Sequence, residues 1–96
     1  MRVEYHPAAA TELIAAVHFY EDRVAALGER YLAEVNRAIE RVCEHPLRWP
    51  VLEADIRRYV LSDFPCAIYY RALPDRIRIL AVKHHRRHPE YWRSRH

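Results

Sequence analysis

The chain has 96 residues, 51% of them hydrophobic, and a formal net charge of +3. This length fits one domain with a thin core over residues 1–96 and excludes a second domain. No apolar run is long enough to cross a membrane, and residues 1–4 lack the hydrophobic stretch of a signal peptide, so we expect a cytoplasmic protein.

The positive charge is concentrated in the C-terminal part of the chain. Residues 1–55 contain six arginines and ten acidic residues, a net charge of −4, whereas residues 56–96 contain ten basic and three acidic residues, a net charge of +7. Because summed charge steers association, this basic half indicates a polyanion or an acidic protein as partner. A generally basic surface without a ligand is the alternative explanation.

The first part of the chain has the pattern of a short strand followed by a helix. We predict a strand over Arg2–Tyr5, stopped by His6 and Pro7, and a helix that begins at this proline. The single glycine, Gly28, is predicted to end the helix. Apolar residues spaced by three and four lie on one face of this helix, and they are Leu13, Val17, Tyr20, Val24 and Leu27.

A second helix is predicted from about Glu29, antiparallel to the first because the connection at Gly28 is short. Pro46 ends it, since the residue before a proline is pushed out of the α region. Residues 46–55 contain two prolines and no period, so we predict a loop anchored to the core by Trp49 and Leu52. The apolar face of the second helix contains Leu32, Val35, Ile39 and Val42.

Three runs rich in β-branched and aromatic residues follow, over residues 56–61, 66–71 and 76–84. Turn residues separate them, so we predict a meander of antiparallel strands. In the last strand Ile77, Ile79 and Ala81 alternate with Arg76, Arg78 and Leu80. This period of two predicts that the first three side chains share the core face.

The predicted order is therefore β-α-α-β-β-β, with a half-turn or short helix over residues 89–95. It predicts an α+β fold in which a helical hairpin covers one face of a small, mainly antiparallel sheet, while the other face stays open. Six side chains should be almost fully buried between the two layers: Leu13, Val17, Val35, Ile39, Ile68 and Ile79.

The sequence predicts no disulfide, metal site or cofactor. Cys43 and Cys66 fall in a predicted helix and a predicted strand without C-x-x-C spacing, which favours two small buried residues. His84 and His88 are four residues apart, but Pro89 argues against a regular helix through both, and so against a pair of metal ligands.

Four stretches carry a combination of motifs: VEYHPAA at 3–9, AVHFYE at 16–21, DFPCAIYY at 63–70 and ILAVKHHRRHPEYW at 79–92. With them the chain resembles the RelE/ParE superfamily of toxins from bacterial type II toxin–antitoxin systems, specifically the ParE-like, plasmid stabilisation branch. The fold that this resemblance implies is the β-α-α-β-β-β arrangement predicted from the pattern.

The resemblance implies a growth-inhibiting toxin that a cognate antitoxin keeps inactive in a hetero-oligomeric complex. RelE-like members of the superfamily cut messenger RNA on the ribosome, whereas ParE-like members act on DNA gyrase and are not known as enzymes. We expect gyrase as the target, with mRNA cleavage as the alternative. The basic half calls for an acidic amphipathic antitoxin segment, which we expect to form a helix when bound and to be disordered when free.

A ribonuclease of this kind needs a group that activates the ribose 2′-OH, an acid for the leaving oxygen and cations for the charged phosphorane. The resemblance implies Tyr91 as the C-terminal tyrosine of such a site, and Arg87, His84 and Arg57 are candidates beside it. However, Ala67 stands where RelE-like members carry a phosphate-contacting arginine. This departure favours the gyrase-directed branch.

For binding of the target or the antitoxin we consider a wider set: Arg57, Arg58, Arg71, Arg78, His84, Arg87, Tyr91 and Trp92. Each has a structural alternative. The two aromatic residues could pack the C-terminus onto the sheet, and the strand arginines could be solvated charges that discourage aggregation. A third functional reading is a general nucleic-acid-binding module, in which tyrosines stack on bases and arginines neutralise phosphates.

Overall fold

The computed structural model describes residues 1–88 and 90–96. The elements run in the order β1 (Arg2–Tyr5), α1 (Pro7–Arg23), α2 (Leu27–Glu44), β2 (Val51–Glu53), β3 (Ile56–Val60), β4 (Cys66–Ala72) and β5 (Arg76–His84). The five strands form one sheet in the order β1-β5-β4-β3-β2, with β1 parallel to β5 and the other pairs antiparallel. Both helices pack on one face, which confirms the predicted α+β fold.

The turn between the helices lies earlier than predicted. Helix α1 ends at Arg23, because Val24 is extended, and Ala26 adopts a left-handed conformation with φ 68°. The Glu21 carboxylate accepts hydrogen bonds from the backbone N–H groups of Ala26 and Gly28 at 2.9 and 3.0 Å. Gly28 therefore lies in the first turn of α2 and does not end α1, as the sequence had suggested.

Strand β2 was not predicted. Its three residues lie in the segment expected to be a loop, and they pair with β3 across a turn at Ala54, whose φ is 50°. A strand this short shows no alternation of apolar and polar residues in the sequence, so only its pairing with β3 identifies it as a strand. Trp49 packs against the core as predicted, but Leu52 is exposed.

A bulge at Leu80 corrects the predicted face of β5. Tyr70 pairs with Ile79 and Tyr69 with Ala81, so Leu80 has no partner across the ladder. One extra residue reverses the side to which every later side chain points. Ala81 consequently lies on the face away from the helices, and Val82 takes its place in the main core.

The main core lies between the helices and the sheet. Val35, Ile39, Ile68 and Ile79 are buried there as predicted. Leu13 and Val17 pack against this core but are only half-buried, which contradicts their predicted burial. Helix α1 lies at the side of the layer, against β5 and α2, whereas α2 contributes the buried stripe. The predicted stripe residues Val24 and Leu32 are exposed.

The second sheet face is not fully open. Residues 90–96, here called the C-terminal segment, form successive turns with N–H to C=O bonds from Arg93 to Glu90 and from Arg95 to Trp92. They form no regular helix, and Pro89 lies outside the described residues. Trp92 is buried on this face against Tyr69, with 5.1 Å between ring centroids. The predicted packing of the C-terminus onto the sheet is thus confirmed for Trp92.

Gly28→Ala should destabilise the protein, although alanine ordinarily stabilises a helix relative to glycine by about 0.5–1 kcal/mol. A Cβ at this position would meet the Val17 carbonyl oxygen at 2.5 Å and the Glu21 Cβ at 2.9 Å, so the two helices would have to separate. Urea denaturation should show a lower midpoint for the variant. An unchanged or higher midpoint would show that the hairpin absorbs the methyl group without cost.

Candidate functional site: a groove beside the first helix

A groove of about 710 Å³ lies between α1, the end of β5 and the C-terminal segment. Its wall on α1 is made of small side chains and one exposed ring, and its floor comes from α2 and the sheet. The lining residues are Ala8, Thr11, Glu12, Ala15, Ala16, Phe19, Tyr20, Tyr31, Cys66, Val82, His84, Arg87, Tyr91 and Arg95. The groove therefore combines an apolar interior with charged groups at one end.

The floor of the groove offers no ionised group at neutral pH. Burial raises the pKa of the Cys66 thiol, and it raises the pKa of Tyr20 to about 12. Burial also raises the pKa of Tyr31, whose hydroxyl is fully enclosed. Because a thiol reacts as its thiolate, Cys66 is a packing residue here and not a nucleophile.

Three residues predicted from the sequence meet at the charged end of the groove: His84, Arg87 and Tyr91. The Arg87 guanidinium carbon lies 4.3 Å from the centroid of the Tyr91 ring, a cation–π contact. Burial, followed by the neighbouring Glu12 carboxylate, raises the pKa of the Tyr91 hydroxyl well above its ordinary value. Tyr91 is therefore held protonated at neutral pH.

His84 is neutral at the same pH. Burial lowers the pKa of its imidazole, and the charges of His85, Arg86 and Lys83 lower it further. Its Nδ1 accepts a hydrogen bond from the Arg86 backbone N–H at 3.0 Å. The side chain thus holds the turn that follows β5, and this contact occupies one of its two ring nitrogens.

Glu12 and Arg95 form the polar centre of this end, and sequence reasoning missed both. The Arg95 guanidinium donates to both carboxylate oxygens of Glu12, at 3.0 and 3.1 Å, and to the Leu80 carbonyl oxygen at 3.0 Å. Glu12 Oε1 also accepts from the Val82 backbone N–H at 3.1 Å. Both side chains are only 12% exposed. Each looks like an ordinary surface charge in the sequence, and only the fold brings them together.

The structure places Arg57 elsewhere. Its guanidinium donates to the carbonyl oxygens of Leu47 and Trp49, at 3.0 and 2.8 Å, and holds the segment before β2. Arg57 on β3 pairs with Tyr70 of β4, whereas His84 on β5 pairs with Cys66 of β4, four residues away along that strand. Strands β3 and β5 lie on opposite sides of β4. Strand geometry then separates Arg57 and His84 by about 16 Å. The four ribonuclease candidates are not gathered into one site.

The remaining predicted residues lie outside the groove. Arg71 forms a two-pronged ion pair with Asp55, at 2.9 to 3.2 Å. Arg78 donates to the carbonyl oxygens of His96 and Tyr5. Arg58 is exposed on the sheet face opposite the helices, the face on which Trp92 is buried. Most of the predicted cations therefore have structural partners.

Within residues 1–88 and 90–96, no group of three or more histidine, cysteine or acidic side chains is placed to hold a metal ion. None of the helices described is both long and apolar enough to span a membrane.

Comparison with known proteins agrees with this fold. A family model described as "ParE toxin of type II toxin-antitoxin system, parDE" matches residues 3–89. The chain belongs to the ParE toxin family.

A solved structure titled "Chromosomal ParDE TA system from P. aeruginosa" is similar with a TM-score of 0.61 and 22% sequence identity. The match covers 88% of this chain and 95% of that one, so the two share a fold over nearly their whole lengths. The search of curated proteins finds no match. The predicted membership of the ParE-like branch is confirmed.

For this ParE family member, Glu12→Gln should cost about 3 kcal/mol of stability, because it leaves the Arg95 guanidinium nearly buried without its counter-charge. Hydrogen exchange at the Val82 amide should become faster, since that N–H loses its charged acceptor. Guanidinium denaturation and exchange measured by NMR check the two effects.

The matched control is Glu53→Gln, which breaks the exposed ion pair between Glu53 and Arg93 at 2.8 Å. Exposed pairs contribute about 0–1 kcal/mol, so this variant should behave almost like the parent. Equal losses in the two variants would contradict the special role of the Glu12–Arg95 pair.

Proposed function

We propose that this protein is the growth-inhibiting toxin of a type II toxin–antitoxin pair, that it acts on DNA gyrase, and that an antitoxin keeps it inactive. The observation that carries the proposal is the groove, a large concave apolar surface with cationic side chains at one end. A concave, mostly apolar groove with a few polar groups at one end is the usual form of a binding site.

The antitoxin segment that fits the groove is acidic and amphipathic. Its apolar side would lie on the α1 wall, against Ala15 and the half-exposed Phe19. Its carboxylates would face Arg87, which is exposed and contacts the Tyr91 ring with its guanidinium. A helix in a groove uses this division between apolar anchors and polar rim.

A protein target fits the site better than an RNA substrate. Proton transfer needs groups whose pKa values lie near the working pH, but Tyr91 is held protonated and Arg57 lies about 16 Å from His84 by strand geometry. Ala67 on β4 is buried and provides no cation. These features favour a protein target over an RNA substrate, in line with the gyrase proposal.

Ribosome-dependent mRNA cleavage is the second candidate function. It is favoured by one observation, the meeting of His84, Arg87 and Tyr91 at one end of the groove. A neutral imidazole beside a guanidinium and a phenol could supply a base, a cation and an acid. The two candidates make opposite predictions for the Tyr91 hydroxyl.

Tyr91→Phe should remain toxic when expressed in a bacterium, because it keeps the ring that contacts Arg87 and removes only a hydroxyl. Arg87→Ala should weaken toxicity partly, through loss of a surface contact. Purified protein should reduce DNA supercoiling by gyrase and leave mRNA on ribosomes intact. Gyrase supercoiling and mRNA integrity are both measured with the same induced cultures and the same protein preparations.

If mRNA were cut at specific codons and Tyr91→Phe abolished the cutting, the ribonuclease function would replace the gyrase proposal. Catalytic groups that act as a unit lose orders of magnitude in rate when one is removed. Loss of a single contact in a protein interface has a much smaller effect. The size of the change therefore separates the two functions.

Ala15→Trp should prevent neutralisation by the antitoxin, because the indole would fill the groove from an exposed position of α1. Ala33→Trp is the matched control, an exposed alanine of α2 that does not line the groove. Co-purification with the product of the neighbouring open reading frame measures the effect. Retention of the complex by the Ala15 variant, at parental salt resistance, would place the antitoxin elsewhere.

A further inference from the structure

Two histidines hold the backbone beside the groove by the same contact. His6 precedes α1, and its Nδ1 accepts a hydrogen bond from the Ala8 backbone N–H at 3.0 Å. His84 ends β5, and its Nδ1 accepts from the Arg86 backbone N–H, also at 3.0 Å. Ala8 and His84 both line the groove. One imidazole therefore caps the helix that forms a wall of the groove, and the other holds the turn at its charged end.

Both contacts require a neutral imidazole, because both ring nitrogens of the charged form are donors. Protonation of His6 or His84 would therefore break the hydrogen bond and place one N–H against another. At His6 the new charge would also lie at the N-terminus of α1, where the helix dipole disfavours a cation. The first turn of this helix, residues 7–10, consists of proline and alanine only, so it brings no acidic side chain to offset the charge.

Charged groups on α1, β5 and the C-terminal segment face His6. Burial lowers the pKa of its imidazole, and the guanidinium groups of Arg95 and Arg78 lower it further. The Glu12 carboxylate opposes them, and His96 again acts to lower the pKa. The folded protein therefore holds His6 neutral at a pH at which a free imidazole already gains a proton.

The surroundings of His84 act in the same direction. Burial lowers the pKa of its imidazole first, and positive charge on the neighbouring side chains lowers it further. These side chains are His85, Arg86 and Lys83. Arg87 brings another cation to the same end of the groove. Both imidazoles are thus kept neutral by burial and by nearby cations.

We propose that His6 and His84 form an acid-sensitive latch on the groove, in which protonation of the two imidazoles breaks both contacts and loosens the start of α1 and the turn after β5. A turn that needs a neutral imidazole binds fewer protons than the loosened turn, where the imidazole has its ordinary pKa of about 6.5. The latch is therefore closed above that pH and opens as the pH falls below it. It is a property of the free protein and does not rest on the proposed function.

Amide exchange with solvent tests the latch, measured by NMR on the full-length chain and divided by the intrinsic rate at each pH. From about pH 7.5 to about pH 5 the protection of the Ala8 and Arg86 amides should fall about tenfold or more, the effect of one lost hydrogen bond. Protection at Val82 should fall over the same range, because its N–H is held inside the groove by Glu12 of α1.

The Gly28 amide is the internal control. Its N–H is held by the Glu21 carboxylate at 3.0 Å, and a carboxyl group remains an acceptor whether or not it carries a proton. Protection at Gly28 should therefore be the same at both pH values.

Asparagine keeps the contact without titrating, because its side-chain oxygen accepts from the backbone N–H two residues on at any pH. His6→Asn combined with His84→Asn should retain protection at both pH values, whereas His6→Ala combined with His84→Ala should lack it at both. The matched control is His18→Asn, an exposed histidine of α1, which should keep the parental pH dependence. His88 accepts similarly from the Glu90 N–H at 3.2 Å and stays unchanged in every variant.

Constant protection of Ala8 and Arg86 in the parent protein would overturn the proposal. So would an unaltered pH dependence in the double asparagine variant, since the titrating group would then be a different one. If Val82 kept its protection while both turns lost theirs, the contacts would be local caps and the latch would be refuted. Loss of protection at Gly28 together with the others would refute it too, because acid would then unfold the whole domain.

Discussion

The arrangement at the functional end of the molecule depends on how the free edge of β5 is satisfied. Strand β1 pairs with β5 only as far as Ile79, yet β5 continues to His84. Beyond that point the Val82 N–H and the Leu80 carbonyl have no strand beside them, and Glu12 and Arg95 bind them instead. An unpaired backbone edge is costly when buried and prone to aggregation when exposed, so this ion pair takes the place of a strand.

The same pair fixes the position of the C-terminal segment. Because Arg95 is tied to α1 and β5 together, the preceding turns bring Tyr91 to the groove and Trp92 to the opposite face of the sheet. The small side chains of Ala67 and Ala81 accommodate the indole there. The Glu12–Arg95 ion pair thus links strand β5, the groove-lining helix α1 and the C-terminal segment whose Trp92 packs on the second face of the sheet.

The molecule presents two surfaces with different chemistry. The groove is apolar with a cationic end, which suits a protein segment with an apolar side and acidic residues. The opposite sheet face carries a buried cluster of Ala67, Tyr69, Ala81 and Trp92, and three arginines at this face pair with nearby acids: Arg71, Arg76 and Arg93.

The sequence by itself determined the order and type of most elements, because those depend on local periodicity. The hairpin of two helices and the final meander follow from spacings of three, four and two, the short first strand follows from its stop at His6 and Pro7, and the resemblance to ParE-like toxins agreed with them. Tyr91 could be selected as a candidate from the resemblance, and His84 and Arg87 could be selected beside it because their residue types carry recognisable chemistry. The stripe on α2 was read correctly at Val35 and Ile39 for the same local reason.

Only the tertiary structure decided the features that depend on strand pairing or on contacts between residues far apart in the chain. Strand β2 and the bulge at Leu80 exist only through register with β3 and β4, so no local pattern shows them, and the bulge moved Ala81 to the other face. Leu13 and Val17 have the spacing of core residues, but the lateral position of α1 leaves them half-buried. Glu12 and Arg95 are 83 residues apart in the chain. Each looks like an ordinary surface charge in the sequence. They form a nearly buried pair because the folded sheet leaves a free edge of β5, whose backbone groups they bind.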